Sequence, residues 1–411
     1  MGGEFLTSAD LFAGAGGLTL GLQRAGFDTV VALDNWHPAV GTLERNFGGS
    51  RVCSRDIREL SASDVLARTG GAVPLLVAGG PPCQGFTSAG ARRASDHRNT
   101  LVGEFARMVS ELRPQWFLFE NVEGFLTMSG GDFLVDLLDG VLDGGYRIRL
   151  RKVNVANYGV PQLRKRVIAI GSLGVDPGFP GPSHHAFGAP GAEMDCTAAL
   201  PLAPTVAEAL GQLGEPALTT QDQAIQGHLA SSVSEADLRR FQLLRQGQTM
   251  RDLPKELQHR SYDRRANRRV ADGMPTERRG GAPAGLRRLC ADEPSKAITS
   301  AANREFVHPV EDRCLTLREC ARLQGFPDDF QFVGNRAEQA TLIGNAIPPA
   351  FGEVFGRWVD MRTSVLSSGT DDSPRLLEFH VTNGAGISPI LRQVVERINA
   401  RYQIGEVPLW R

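Results

Sequence analysis

The chain has 411 residues, with 41% hydrophobic and 22% charged content, the make-up of an ordinary soluble protein large enough for two domains or one with insertions. No stretch approaches the apolar length that spans a bilayer, and no basic stretch leads into an apolar core at the N-terminus, so neither a membrane anchor nor a secretory signal is expected. The formal net charge of -1 says nothing about partners until it is mapped locally. Six scattered cysteines lack a CxxC pair or a nearby histidine cluster, which argues against zinc and for reduced thiols in a cytosolic compartment.

In chain order, Asp10-Leu11-Phe12-Ala13-Gly14-Ala15-Gly16-Gly17-Leu18 follows a short apolar start and opens a predicted helix, Leu18 to Ala25. Glycines there let backbone approach a ligand closely. The predicted strand from Thr29 ends at Leu33-Asp34, where a carboxylate can accept hydrogen bonds from ribose hydroxyls, and the next strand end is Asp56-Ile57. Each acid taken alone is better read as a helix cap. Further strands are expected at Leu75 to Ala78, Trp116 to Phe119 and Val167 to Ile170, with helices at Asn99 to Leu112 and Phe133 to Leu142. This alternation predicts an α/β fold with a doubly wound, mostly parallel sheet.

Between the predicted strand at Leu75 and the helix at Asn99 stands Gly79-Gly80-Pro81-Pro82-Cys83-Gln84-Gly85-Phe86. A thiol on a rigid turn at a strand exit faces the crevice where open α/β sheets bind ligands. Most cysteines are small buried hydrophobes, and one motif does not decide between these readings.

The order of blocks along the chain is more specific. It resembles the DNA (cytosine-5)-methyltransferases of bacterial restriction-modification systems over about residues 8–175 and 290–360. The matching blocks are Asp10 to Phe27, Gly80-Pro81-Pro82-Cys83-Gln84, Glu120-Asn121-Val122, Gln162-Leu163-Arg164-Lys165-Arg166, Arg313 to Phe330 and Gly344-Asn345-Ala346-Ile347-Pro348-Pro349. The resemblance implies an S-adenosylmethionine-dependent methyltransferase fold with an inserted target-recognition domain. It implies Cys83 as the nucleophile at cytosine C6, Glu120 at ring N3, Arg166 at O2 and Arg164 in support. It also implies a cofactor pocket of Phe12, Gly14, Gly17, Leu18, Asp34, Asp56, Ile57, Pro82, Leu101 and Asn345, with no metal. Asn35 departs from the family pattern, which often has an apolar residue packing on adenine at that position.

The catalytic domain is expected from residues 1–175 plus 310–365, the recognition domain from 176–309, and a C-terminal extension of unassigned role from 366–411. The short lead before the glycine loop predicts no N-terminal regulatory domain. Residues 239–288 hold 14 Arg or Lys against 5 Asp or Glu, a basic patch that the near-neutral total hides. Arg260, Arg264, Arg265, Arg268, Arg269, Arg278 and Arg279 are the expected DNA contacts there. Gln84, Arg92, Arg93 and Arg98 are expected on a loop that closes over DNA.

The expected partner is double-stranded DNA, in the bacterial cytoplasm at the nucleoid, bound by a monomer that a cognate restriction endonuclease could accompany. Two competing readings are a tRNA cytosine-5 methyltransferase, whose Cys-Phe-Thr motif is missing here, and a catalytically silent DNA-binding protein. An amino-methyltransferase would place an aromatic residue after Pro-Pro, where this chain has Cys83.

Overall fold

The computed structural model describes residues 6–82, 101–185, 200–211, 213–259, 285–365, 373–381 and 388–404. The strands in chain order are β1 (Thr7–Leu11), β2 (Asp28–Leu33), β3 (Val52–Cys53), β4 (Leu76–Gly79), β5 (Trp116–Val122), β6 (Tyr146–Asn154), β7 (Gln162–Leu163), β8 (Lys165–Leu173), β9 (Arg287–Arg288), β10 (Ser295–Lys296), β11 (Phe306–Val307) and β12 (Arg375–His380). The helices are α1 (Gly17–Arg24), α2 (His37–Phe47), α3 (Ala62–Arg68), α4 (Leu101–Leu112), α5 (Asp132–Asp143), α6 (Val206–Leu210), α7 (Glu235–Leu243), α8 (Ala302–Glu305), α9 (Leu317–Gln324), α10 (Arg336–Asn345), α11 (Pro349–Val365) and α12 (Pro389–Tyr402).

Eight strands form one sheet in the order β12-β6-β8-β5-β4-β1-β2-β3. Every neighbouring pair is parallel except those made by β8, which runs antiparallel to both β5 and β6. The mostly parallel sheet expected from the sequence is present. Its central strands are apolar on both faces, as a sheet covered on both sides requires. Val77, Phe117 and Phe119 point into one layer with α4 and α5. Leu76, Ala78, Trp116 and Leu118 point into the other, against α1 and α11. Burying each such large side chain contributes about 1.5–3 kcal/mol.

The α1–α11 seam is closed by glycine. A Cβ on Gly21 would lie 2.3 Å from the Pro349 carbonyl oxygen, so backbone meets backbone there.

The chain divides into two compact units. The first comprises residues 1–160, 164–203 and 346–411, and the second comprises Pro161–Leu163 and Pro204–Asn345. This division differs from the one expected. Residues 310–345 cluster with the second unit, where buried Arg318 donates to the carbonyls of Gln226, Pro327 and Phe330. Arg313 and Glu319 form a buried double hydrogen bond in the same unit. The second unit has its own core of Phe241, Leu244, Met250, Leu253, Leu286 and Val307.

One arginine of the basic stretch, Arg288, is part of that scaffold. It is buried and donates to the carbonyls of Leu244, Phe241, His308 and Glu311 and to Asp312. A guanidinium so committed has no donors left for DNA.

The C-terminal extension belongs to the first unit. β12 extends the sheet beside β6, and its Glu378 accepts from both Arg149 and Arg151. Among the described residues no helix is long and apolar enough to cross a membrane.

Candidate active site

The chain order reverses around β1, which has β2 on one side and β4 on the other. Ligands of open α/β sheets bind outside the carboxyl ends of the strands at such a point. The glycine loop leaves β1 there and the Gly79-Gly80-Pro81-Pro82 turn leaves β4.

Phe12 takes φ 66°, an unusual left-handed conformation for a bulky residue, at the start of the loop. Gly14 follows at φ 55°, with open space where a side chain would stand. Gly16 at φ 83° passes so close to α2 that a Cβ would meet Phe47. Asp34 holds this loop: one carboxylate oxygen accepts from the Gly14 N–H at 2.9 Å and the other from the Trp36 N–H at 2.8 Å. Burial raises the Asp34 pKa above the ordinary carboxylate value, against those hydrogen bonds.

Asp56 is the N-cap of a short 3-10 turn. It accepts from the Arg58 backbone N–H and guanidinium and from Asn35 Nδ2 at 3.3 Å. The Arg58 guanidinium holds its pKa down at about 2. Asn35, the departure from the family pattern, thus reaches across to the second acid.

Other expected pocket residues vary in depth. Ile57 is buried in the core, Leu18 is buried against α11, and Gly17 opens α1. Leu101 begins α4 half-buried and Pro82 is exposed. Asn345 ends α10, in the second unit.

Glu120 and Arg166 face each other in the antiparallel β5–β8 pair. Val122 lies opposite Arg166 and Glu120 opposite Ile168, so Glu120 and Arg166 are diagonal neighbours on one sheet face. Arg166 Nε lies 2.7 Å from Glu120 Oε1. Arg164, two residues before Arg166, is buried, and burial with the Arg166 charge beside it pushes its pKa well below the usual arginine value. Gly80 admits the acid: a Cβ there would stand 2.8 Å from Glu120 Oε2. Asn121 donates from Nδ2 to the Pro81 carbonyl at 3.1 Å, tying the acid strand to the proline turn.

Two residues went unassigned at the sequence level. Asn121 is one. The other is Asp10, buried on β1, which accepts from the Thr19 hydroxyl at 2.6 Å through Oδ2 while Oδ1 has no partner among the described residues. The signal for it was an acid inside a short buried strand, between Ala9 and Leu11. Burial raises its pKa to about 7, and Asp34 nearby adds to the shift.

A folded-state pKa above the unfolded value means that stability falls as pH rises between the two and levels off above pH 7. Asp10→Asn should therefore gain about 2–3 kcal/mol on the parent between pH 5 and pH 8, at about 1.4 kcal/mol per pH unit. Urea midpoints at the two pH values measure it, and an unchanged difference would refute the assignment.

Gln162 and Arg166 belong to different units although four residues apart. Gln162 donates to the Leu323 carbonyl at 3.0 Å and accepts from the Ile298 N–H at 3.1 Å, all in the second unit. Cys83, Gln84, Arg92, Arg93 and Arg98 lie outside the described residues. So do Arg260, Arg264, Arg265, Arg268, Arg269, Arg278 and Arg279. Among the described cysteines, burial raises the pKa of Cys314 to about 12 and also raises those of Cys290 and Cys320. Those three are thiols, not thiolates, at neutral pH. The described residues contain no group of three metal-ligating side chains.

The sheet order, the glycine loop on β1 and the acid on β5 define the S-adenosylmethionine-dependent methyltransferase fold. Residues 6–358 match the family model for C-5 cytosine-specific DNA methylases, and the chain belongs to that family of enzymes. It is 32% identical over 359 residues to the type II methyltransferase M1.HphI of Haemophilus parahaemolyticus, an alignment covering 86% of each chain. It is 30% identical to the type II methyltransferase M.AgeI of Thalassovita gelatinovora, covering 87% of this chain and all of that one. Among solved structures, a putative DNA modification methyltransferase encoded within an E. coli prophage superposes with TM-score 0.65 at 25% identity, covering 87% of this chain and 99% of that one.

Proposed function

We propose that the protein transfers a methyl group to C5 of a cytosine rotated out of a specific double-stranded DNA sequence, with the Cys83 sulfur adding covalently to C6. The observation that carries this reading is the Glu120–Arg166 pair, set beside a proline turn that Asn121 fixes one residue from the start of Pro82-Cys83.

The residues around the glycine loop fit the expected cofactor. Gly14 leaves open space, Asp34 presents a carboxylate at the end of β2, and Asp10 keeps a buried acceptor without a partner among the described residues. S-adenosylmethionine, when bound, supplies an electrophilic methyl on a sulfonium.

Cytosine C5 is a poor nucleophile until the ring is activated. The Cys83 thiolate adds to C6, and the C5–C6 π electrons move to C5, which becomes enamine-like and takes the methyl. Glu120 hydrogen-bonds at N3 and favours its protonation, while Arg166 donates to O2, with Arg164 in support. These groups stabilise charge that builds as sulfur adds. Loss of the C5 proton to water then expels the cysteine and restores the C5–C6 double bond.

Extruding the base costs a few kcal/mol, which contacts to DNA must offset. The basic stretch of the second unit is assigned to that role and to reading the sequence. A cognate restriction endonuclease would share the site. Bisulfite sequencing of DNA from cells expressing the protein should show 5-methylcytosine at one recurrent sequence. Unmodified DNA from cells containing folded protein would overturn the reading, and modification confined to tRNA would move the substrate to RNA.

A further inference from the structure

The family match ends at residue 358, yet a helix beyond it packs on the segment that follows the candidate acid's strand. α12 buries Val394 and Ile398 in the core that also holds Phe119 and Phe125. Its target is the 3-10 segment Glu123–Gly131, which follows β5 without a break. That segment ends in three successive left-handed residues: Ser129 at φ 49°, Gly130 at φ 66° and Gly131 at φ 94°. For a serine this conformation is strained, and it persists only where its surroundings impose it.

α12 packs on the two glycines that follow this serine. The Val394 methyls lie 3.1 Å from where a Cβ of Gly131 would be, and Arg397 Nη1 donates to the Gly130 carbonyl at 3.2 Å and to Asp132 at 2.8 Å. At its far end, Arg401 and the Tyr402 hydroxyl both bond Asp139 on α5.

The held segment connects to the acid. Phe125 packs on Phe119 with ring centroids 5.2 Å apart, and Phe119 immediately precedes Glu120. Glu123, three residues after Glu120, is paired with Lys152 on β6 at 3.1 Å.

We propose that α12 is a positioning element, with Val394 its central contact, that holds residues 123–131 so that the Glu120 carboxylate keeps its catalytic aim. The inference rests on Glu120 acting in the proposed methyl transfer. The exposed Arg397 pair contributes little by itself, as surface ion pairs do. The buried Val394–Gly131 contact carries the effect.

The test compares Val394→Ala with Ile398→Val, a volume loss in the same helix and core one turn from the Gly131 contact. In the full-length protein well below the melting temperature, Val394→Ala should lower kcat by about 5–10-fold, since small displacements of a catalytic group are costly. Its KM for S-adenosylmethionine should stay within about twofold, because the glycine loop is untouched. Ile398→Val should lower the melting temperature without lowering kcat. Full kcat in Val394→Ala, or an equal loss in Ile398→Val, would reduce α12 to a stabilising helix. A parent protein that methylates no cytosine would defeat the functional reading itself, whereas an active parent with an equally active Val394→Ala defeats only this inference.

Discussion

Cys83→Ala is expected to take methyl transfer below detection, a loss of at least about 10⁴-fold, because the uncatalysed attack of C5 on a sulfonium methyl has no second route through this site. Among the described residues no other cysteine offers an alternative: Cys53 is walled into the core, and Cys290, Cys314 and Cys320 are held protonated by burial. The variant should bind S-adenosylmethionine within about twofold of the parent, since the glycine loop is built by Asp34 and not by the thiol. DNA carrying 5-fluorocytosine at the target sharpens the test. Fluorine at C5 cannot leave as a proton does, so the parent should be trapped as a covalent complex stable to denaturing electrophoresis. Residual turnover by Cys83→Ala, or an adduct formed without Cys83, would overturn the proposed mechanism.

The second large effect belongs to Glu120. Glu120→Gln keeps the shape of the side chain and removes its charge, so it should lower kcat by about 10²–10³-fold with little change in cofactor affinity. Arg166 gives this variant a second signature. With the carboxylate gone, the half-buried guanidinium loses the opposite charge 2.7 Å away that offset its partial desolvation. Reduced thermal stability should therefore accompany the rate loss, and Arg166→Met in the same background should recover part of the stability but none of the rate. Wild-type kcat in Glu120→Gln would remove the acid from the chemistry.

Much of the sheet was legible because buried parallel strands write themselves as apolar runs. Trp116-Phe117-Leu118-Phe119 and Val167-Ile168-Ala169-Ile170 are strands in the structure, and α1 and α5 begin within a residue or so of where periodicity placed them. β6 was not legible. Its sequence alternates Arg147, Arg149 and Arg151 with apolar residues, and no strand was expected there. Arg149 and Arg151 are matched by Asp176 and by Glu378, the latter more than 220 residues away. Partners that distant leave no local trace.

The site was legible in type but not in wiring. The sequence offered the acid, the arginines and the glycine loop. That Glu120 and Arg166 pair depends on the antiparallel register of β5 and β8, which no local pattern encodes. Nor did anything near Asp10 announce an orphaned oxygen. Arg288 shows the converse: counted with the basic stretch by composition, it holds the interior of the second unit together through carbonyl groups. Residues 310–345 were expected in the catalytic domain because Arg313 to Phe330 resembles a family block, whereas buried Arg313 and Arg318 bind partners within the second unit.

Gln162 sets a practical rule for building chimeras. Its side chain serves Leu323 and Ile298, although the chain on both sides of Pro161–Leu163 runs through the other unit. A graft of residues 204–345 alone would therefore arrive without its own glutamine and rely on whatever the host supplies there. Hosts with Gln at that position should accept such transplants, and hosts without it should yield poorly folded hybrids unless the three-residue island is carried across as well.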